Sequence, residues 1–421
     1  MDIPSLLRSA GSPDTELSDE ELAALFTDAL SSLGPRSRVL ALPPDGTRAH
    51  ARAGVLLKAA YDFYGDKLLA VMPALGTHRP MDELAAAEHF PGVPYALFKP
   101  HRWRSDILEL GRVPAAFVRE VSEGLCDFDW PAQVNRLVVE GEFDLILSLG
   151  QVVPHEVVGM ANYSKNLFVG VGGKEGIDRS HWLGAAYGIE RVLGRIDTPV
   201  RVVLDYAQER FAARLPLLYT LTVVGPRMDA PGNATRGLFL GGGRRCFEEA
   251  AALSARVNVT HTGKPVRTML VYLDPKEFTS TWLGNKAIYR TRLAMADGGK
   301  LIILAPGLDC FGEDGRIDET IRRYGYRGAA AAKTLVDSGE LAHDLAGAAH
   351  LAHGSTEGRF AVTYAAGGLS RREMESVGYC WGDCPGLLER YDPASLADGW
   401  NGSGDDEFYF VRNPALGLWT V

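Results

Sequence analysis

The stretch "PHEVVGMANYSKNLFVGVGGKEGIDRSHWLG", residues 154–184, sets His155, Lys165 and His181 within one short span of chain. Imidazole titrates near neutral pH, so it can give or take a proton or bind a metal. A lysine amine is a nucleophile once deprotonated and can hold a carbonyl-type group covalently. Acid–base catalysis, covalent attachment and metal ligation are therefore all open to these three side chains.

More ionisable groups recur where apolar runs break into loops. "PPDGTRAH" joins Asp45 and Arg48, a pair that also fits a turn with a solvated ion pair. "ALGTHRP" carries His78 and Arg79, with the same plain alternative. "KPHRWRSDILELG" places His101 among cations and an acid, where a lone histidine is ordinarily a surface residue. "QVVPHEVVG" brings His155 after a strongly apolar run, and "PKEFTSTWLGNKAIYR" adds Lys286 much later. Each loop is weak evidence alone; their succession at strand ends is not.

Those strand ends set the fold. "RVLALPPDGTR", "KLLAVMPALGTHRP" and "FDLILSLGQVVPHEV" each read as an apolar strand running into a polar loop, and "NLFVGVGG" reads as a fourth strand. Helical periodicity lies between them in "AHARAGVLLKAAYDFYG" and "RPMDELAAAEHF". Ser180 is the expected cap of a helix in "SHWLGAAYGIERVLG", with His181 in its first turn. The pattern predicts two α/β domains with a cofactor and substrate cleft between them, since functional groups gather beyond the carboxyl ends of parallel strands. The glycine-rich "GNATRGLFLGGGRRCFEEAAALSARV" marks the change of domain, giving 1–240, 241–400 and an aromatic tail, 401–421, that returns to the first domain.

Composition limits the partners. The chain of 421 residues carries a formal charge of −9 with its basic residues scattered, which speaks against a nucleic-acid surface. No apolar run is long enough for a bilayer, and the acidic N-terminal stretch lacks a signal-type apolar core, so a cytoplasmic protein with no membrane partner is expected. Five spread cysteines, with "CWGDC" unmatched by a second pair, read as free thiols. "VGVGGKEG" fits neither the Walker loop nor G-x-G-x-x-G, and H-E-x-x-H and G-x-S-x-G do not occur. His343, His350 and His353 in "LAHDLAGAAHLAHG" are expected to lie exposed on an alanine-rich helix rather than to form a ligand cluster.

Taken together, the loops resemble the lactate racemase family. A "PH" histidine there is followed ten residues later by a lysine and twenty-six residues later by a histidine, as His155, Lys165 and His181 are here. "DGTRAH", "ALGTHRP" and "HRWRSDILELG" match the family's upstream loops, and the likeness spans about residues 35–325. The resemblance implies a covalent nickel pincer nucleotide (pyridinium-3,5-bisthiocarboxylic acid mononucleotide nickel) on Lys165, with Ni also bound by His181. It implies His101 and His155 as the acid/base pair, Arg48 and Lys286 as substrate-binding groups, and Asp45 as a cofactor-binding residue. The implied reaction inverts C2 of a small-molecule 2-hydroxy acid by reversible hydride transfer, and cofactor-biosynthesis enzymes are implied partners. "MANYSK" replaces the glycine-rich stretch before the family's lysine, and Leu283 stands where lactate-type members have glutamine, so a substrate other than lactate is expected. The competing readings are a metal-dependent hydrolase or lyase using His101, His155 and His181, and a binding protein without the chemistry.

Overall fold

The helix Asp19–Ser32 shows how local sequence builds the first sheet's cover. Ser18 caps it, and Glu21 completes a capping box by bonding back to the Ser18 backbone. Leu22, Phe26, Ala29 and Leu30 fall on one stripe and are buried. They join Leu56 and Leu57 of the helix Ala53–Tyr64 and Val39, Leu68, Leu145 and Leu147 of the sheet in one apolar core.

A computed structural model describes residues 3–229 and 232–421. The chain divides into two compact units, 1–180 with 194–258, and 181–193 with 259–421. The first holds a six-stranded sheet in the order Arg8–Gly11, Asn233–Gly241, Leu217–Pro226, Leu145–Gln151, Val39–Leu42 and Leu68–Val71. The last four of these strands pair in parallel, while Arg8–Gly11 and Asn233–Gly241 pair antiparallel at the other edge.

The second unit holds another six-stranded sheet, in the order Cys380–Trp381, Phe360–Ala366, Met295–Ala305, Val266–Tyr272, Phe408–Val411 and Gly399–Asn401. All of its pairings are parallel except that of Gly399–Asn401 with Phe408–Val411. Leu270, Ile302, Leu304, Ala365 and Phe410 form part of its core. The fold is α/β, with two sheets that are mainly parallel. All five cysteines are free thiols, and no helix among the described residues is long and apolar enough to cross a membrane.

Several local expectations change. "NLFVGVGG" forms a π-helical turn, Asn166–Gly170, not a strand. The helix carrying His181 begins at Lys174 and runs to Tyr187, so Ser180 is internal to it and His181 lies beyond its first turn. "GNATRGLFLGGG" supplies the strand Asn233–Gly241, and the helix Arg244–Asn258 also belongs to the first unit. The change of unit therefore falls after residue 258, not at 240, and 181–193 belongs to the second unit. The tail 401–421 does not form part of the first unit's sheet. Phe408–Val411 pairs with Val266–Tyr272, and Leu418–Thr420 pairs with Val259–His261, because its aromatic residues complete the second unit's strands. His350 and His353 are buried, not exposed, since the helix Leu345–His353 is apolar on nearly every side.

Candidate functional site

In the first unit, the first two strand-end loops meet. An isolated parallel bridge joins Pro44 to Ala74. Asp45, buried at 7% exposure, has Oδ2 2.6 Å from Nδ1 of His78. The Arg48 backbone N–H donates to the Asp45 carbonyl at 3.1 Å, and the carboxylate also meets His78 from the neighbouring strand's loop. Arg48 stands in the turn after Asp45 with backbone angles that interrupt the short helical run Gly46–Ala51.

His101 is 1% exposed, which overturns the plain reading of a surface histidine. Its Nε2–H donates to the Gly172 carbonyl at 2.9 Å. Its Nδ1 accepts from the Asn135 amide at 3.0 Å, and the Asn135 Oδ1 accepts from the Leu137 backbone at 2.9 Å. This set fits one neutral tautomer, with the proton on Nε2. Burial pushes the His101 pKa down to about 4, against the smaller opposing effects of the Gly172 carbonyl and Asp106.

His155 follows the strand Leu145–Gln151 in a two-residue pairing of Pro154–His155 with Gly159–Met160. It is also buried, and its Nδ1 accepts the Val157 backbone N–H at 3.1 Å. That bond leaves Nε2 as the nitrogen able to carry an exchangeable proton. Glu156 Oε2 lies 4.0 Å from Nδ1.

Lys165 comes directly before the π-helical turn Asn166–Gly170 and directly after an unusual bend. Asn162 and Tyr163 take φ of 70° and 59°, the left-handed region that side chains other than glycine seldom occupy. The bend is braced by the helix Pro199–Phe211, capped by Thr198. Arg201, fully buried, donates to the Met160 and Asn162 carbonyls at 2.7 and 3.0 Å and to Ser164 Oγ at 2.7 Å. Ser164 donates to Asp205 at 2.6 Å, and Asp205 accepts from Arg244 at 2.7 Å. Gln208 donates to the Tyr163 hydroxyl at 3.0 Å, and the Tyr163 ring stacks on Phe247. Arg201, Asp205 and Gln208 thus grip the bend from one face of a helix.

Lys165 is partly exposed as a residue, while its amine is poorly solvated. Burial pushes its pKa down to about 7, and the nearby charge of Arg48 adds to the effect; Glu156 and Asp45 oppose it. The amine is therefore a competent nucleophile near neutral pH.

The other two expected site residues lie in the second unit. His181 is partly exposed on the helix Lys174–Tyr187. Lys286 opens the helix Lys286–Thr291, with Nζ 5.5 Å from the Phe278 ring centroid. Among the described residues, no group of three or more His, Cys, Asp or Glu side chains is placed to hold a metal ion.

Sequence reasoning missed Asn135, Ser164, Arg201 and Asp205. A signal was present: in "PVRVVLDYAQERF" Arg201, Asp205 and Gln208 recur at helical spacing among apolar residues. A polar stripe on a buried helix needs polar partners.

Polar groups after parallel strands, with a desolvated lysine among them, mark the first unit of an α/β protein. Solved structures show which proteins share that fold. The lactate racemase apoprotein from Thermoanaerobacterium thermosaccharolyticum matches 97% of this chain and 94% of its own length, at a TM-score of 0.71 and 15% identity. A structural-genomics target from Thermotoga maritima matches 97% of this chain and 99% of its own, at a TM-score of 0.81 and 24% identity. No family model and no curated protein matches the chain.

Proposed function

We propose that this protein is a racemase or epimerase of a 2-hydroxy acid, carrying a nickel pincer nucleotide on Lys165. The observation that carries the reading is the Lys165 amine, brought to a pKa of about 7 behind a braced, left-handed bend. A thioamide needs a neutral amine, and an ordinary surface lysine offers almost none at pH 7. The shared fold with a lactate racemase supports the same reading.

The donor set fits the group. Lys165 would hold its organic part, and the His181 imidazole would hold nickel, with which imidazole pairs well. When bound, this group supplies a reversible hydride acceptor next to the substrate. The chain's own residues do the rest. Arg48 and Lys286 would hold the substrate's carboxylate or hydroxyl through charge-assisted hydrogen bonds. Asp45 and its partner His78 fix the loop that bears Arg48. One histidine would take the proton of the C2 hydroxyl as that carbon is oxidised, and the other would return a proton to that oxygen as the hydride comes back to the opposite face of C2.

His155 works through Nε2, because Nδ1 is occupied by Val157. His101 is neutral at pH 7 because burial disfavours its charged form, and Asn135 occupies its only lone pair. The Asn135 amide must swing away before His101 acts as a base. The reading therefore assigns Asn135 a gating part in one direction of the reaction.

The test is production of the protein together with the cofactor-building enzymes, followed by intact mass and metal analysis. A covalent adduct on Lys165 with nickel is expected, with C2 inversion of a 2-hydroxy acid in a chiral panel run in deuterated water. Zinc without an adduct would replace this reading with an ordinary metal enzyme.

A further inference from the structure

The buried histidine motif of the second unit leads to the substrate. Residues 281–291 form a nearly continuous helical segment: Asn285 N–H bonds to the Thr281 carbonyl and Tyr289 N–H to the Asn285 carbonyl, both at 2.9 Å. Along it Thr281, Gly284, Asn285 and 287–291 are buried, while Trp282, Leu283 and Lys286 are partly exposed. Spacings of three and four residues bring these three side chains to one face. The accessible face of this segment is thus an indole, an isobutyl group and an ammonium.

The indole is held from behind. The His350 ring lies 4.2 Å from the Trp282 ring, tilted by 32°. Thr281 Oγ1 donates to the Phe311 carbonyl at 2.9 Å, so it accepts from the Tyr326 hydroxyl at 2.8 Å. Tyr326 then accepts from His350 Nε2 at 2.9 Å, and His350 Nδ1 is hydrogen-bonded with the Tyr289 hydroxyl at 3.0 Å. Each hydroxyl has one proton, so the donors run in one direction from His350 Nε2 through Tyr326 and Thr281 to the Phe311 carbonyl. Trp282 is also pinned through its backbone N–H, which donates to the Phe311 carbonyl at 2.9 Å. This is a pre-set aromatic wall beside a cation, supported by buried polar groups.

We infer that Trp282, Leu283 and Lys286 form a recognition face for a 2-hydroxy acid whose side chain is apolar, aryl or branched alkyl, with His350 as the residue that positions its wall. The inference rests on the proposed reaction for the 2-hydroxy acid part. Lys286 suits the carboxylate, and the indole and isobutyl groups suit the substituent. Hydroxyls on a sugar-type substituent would meet carbon on this face and lose hydrogen bonds to water, which disfavours polyhydroxy acids. A methyl substituent, as in lactate, would leave the wall largely uncovered.

The test is calorimetric binding of 3-phenyllactate, lactate and gluconate to the cofactor-loaded protein. Phenyllactate should bind at least about tenfold tighter than lactate, in the range that apolar pocket contacts give, and gluconate should bind weakest. Leu283→Gln should narrow the phenyllactate preference, and Lys286→Ala should weaken all three acids. His350→Phe keeps a ring behind Trp282 but breaks both hydrogen bonds. It should cost more affinity for phenyllactate than for lactate, whereas a merely structural role would weaken both alike.

Equal binding of phenyllactate and lactate, tighter gluconate, no binding of any acid, or an unchanged preference in Leu283→Gln would each overturn the inference. The mass of the same samples separates the two claims. A Lys165 adduct without the preference defeats only the recognition face. The preference without adduct or inversion supports the face and defeats the proposed reaction.

Discussion

Lys165 follows a bend in which two successive residues take left-handed backbone, whereas Lys286 stands on a regular helical segment. The first setting is braced by charge: Arg201, Ser164, Asp205 and Arg244 form a partly buried ionic network beneath the bend. The second is backed by a hydrogen-bonded chain of Tyr289, His350, Tyr326 and Thr281. The difference follows from what each lysine is asked to do. A reactive amine must lose its proton, which takes desolvation and nearby positive charge, and an irregular backbone costs energy that a strong brace must offset. A lysine that binds a carboxylate should stay charged, so a regular helix with a firm apolar neighbour is enough.

The largest effect that would break this comparison belongs to Lys165→Ala. It should abolish the covalent adduct altogether, read by intact mass, while circular dichroism stays native, because the variant removes a poorly solvated amine. An adduct of unchanged mass would move attachment elsewhere and end the contrast between the two lysines.

Next in size are the two buried histidines. His101→Ala or His155→Ala should lower racemisation by roughly 10²–10⁴-fold, the usual loss on removing a general acid or base. Each variant should still oxidise one enantiomer in a single turnover, with opposite preferences, as followed by chiral chromatography of the 2-keto acid formed. Equal oxidation of both enantiomers by both variants would show that neither histidine is a base.

Arg201→Gln tests the brace. Losing one partner of a buried charged network typically costs about 3–5 kcal/mol, so the urea midpoint should fall markedly. Lys165 should also regain a higher pKa, because the Arg201 charge is one of the influences lowering it. In the wild-type protein, acylation of Lys165 by acetic anhydride should rise through a midpoint near pH 7. In Arg201→Gln that midpoint should move to higher pH. A fall in stability with an unmoved midpoint would leave Arg201 a purely structural part.

The smallest effect is a pH dependence of stability. The His101 ring takes a proton only near pH 4 when folded, against an ordinary value of 6.5. Between those two pH values the unfolded chain binds the extra proton, so stability is lost as pH falls from about 6.5 to about 4. The full effect is on the order of 3 kcal/mol, and His101→Gln should flatten that limb of the urea midpoint against pH.

The parallel strands Val39–Leu42, Leu68–Val71 and Leu145–Gln151 were legible because each is an apolar run closed by turn residues. The expected strand at "NLFVGVGG" failed for a definable reason. Apolar residues and glycines suit a buried strand and a buried helical turn equally, and short runs do not separate the two. The glycine-rich stretch before Asn233–Gly241 similarly reads as a linker, although it continues into a strand of the first sheet. His350 was misjudged because alanine and histidine together look amphipathic. Tyr289 and Tyr326, far from it in sequence, bond its two ring nitrogens once it is buried.

The sequence alone determined the types of group available and much of their spacing along the chain: the histidines, the lysines and the polar loops after apolar strands. Those depend on local order and on periodicity, which are written in consecutive residues. Tertiary structure decided which of these groups are buried, what holds each in place, and so which protonation state each prefers. Asp45 pairs with His78 from the next strand's loop, His101 is neutral because burial disfavours its charged form, and burial lowers the Lys165 pKa while Arg201 braces the bend before it. Desolvation and hydrogen bonding act through space, between residues that the chain brings together only on folding.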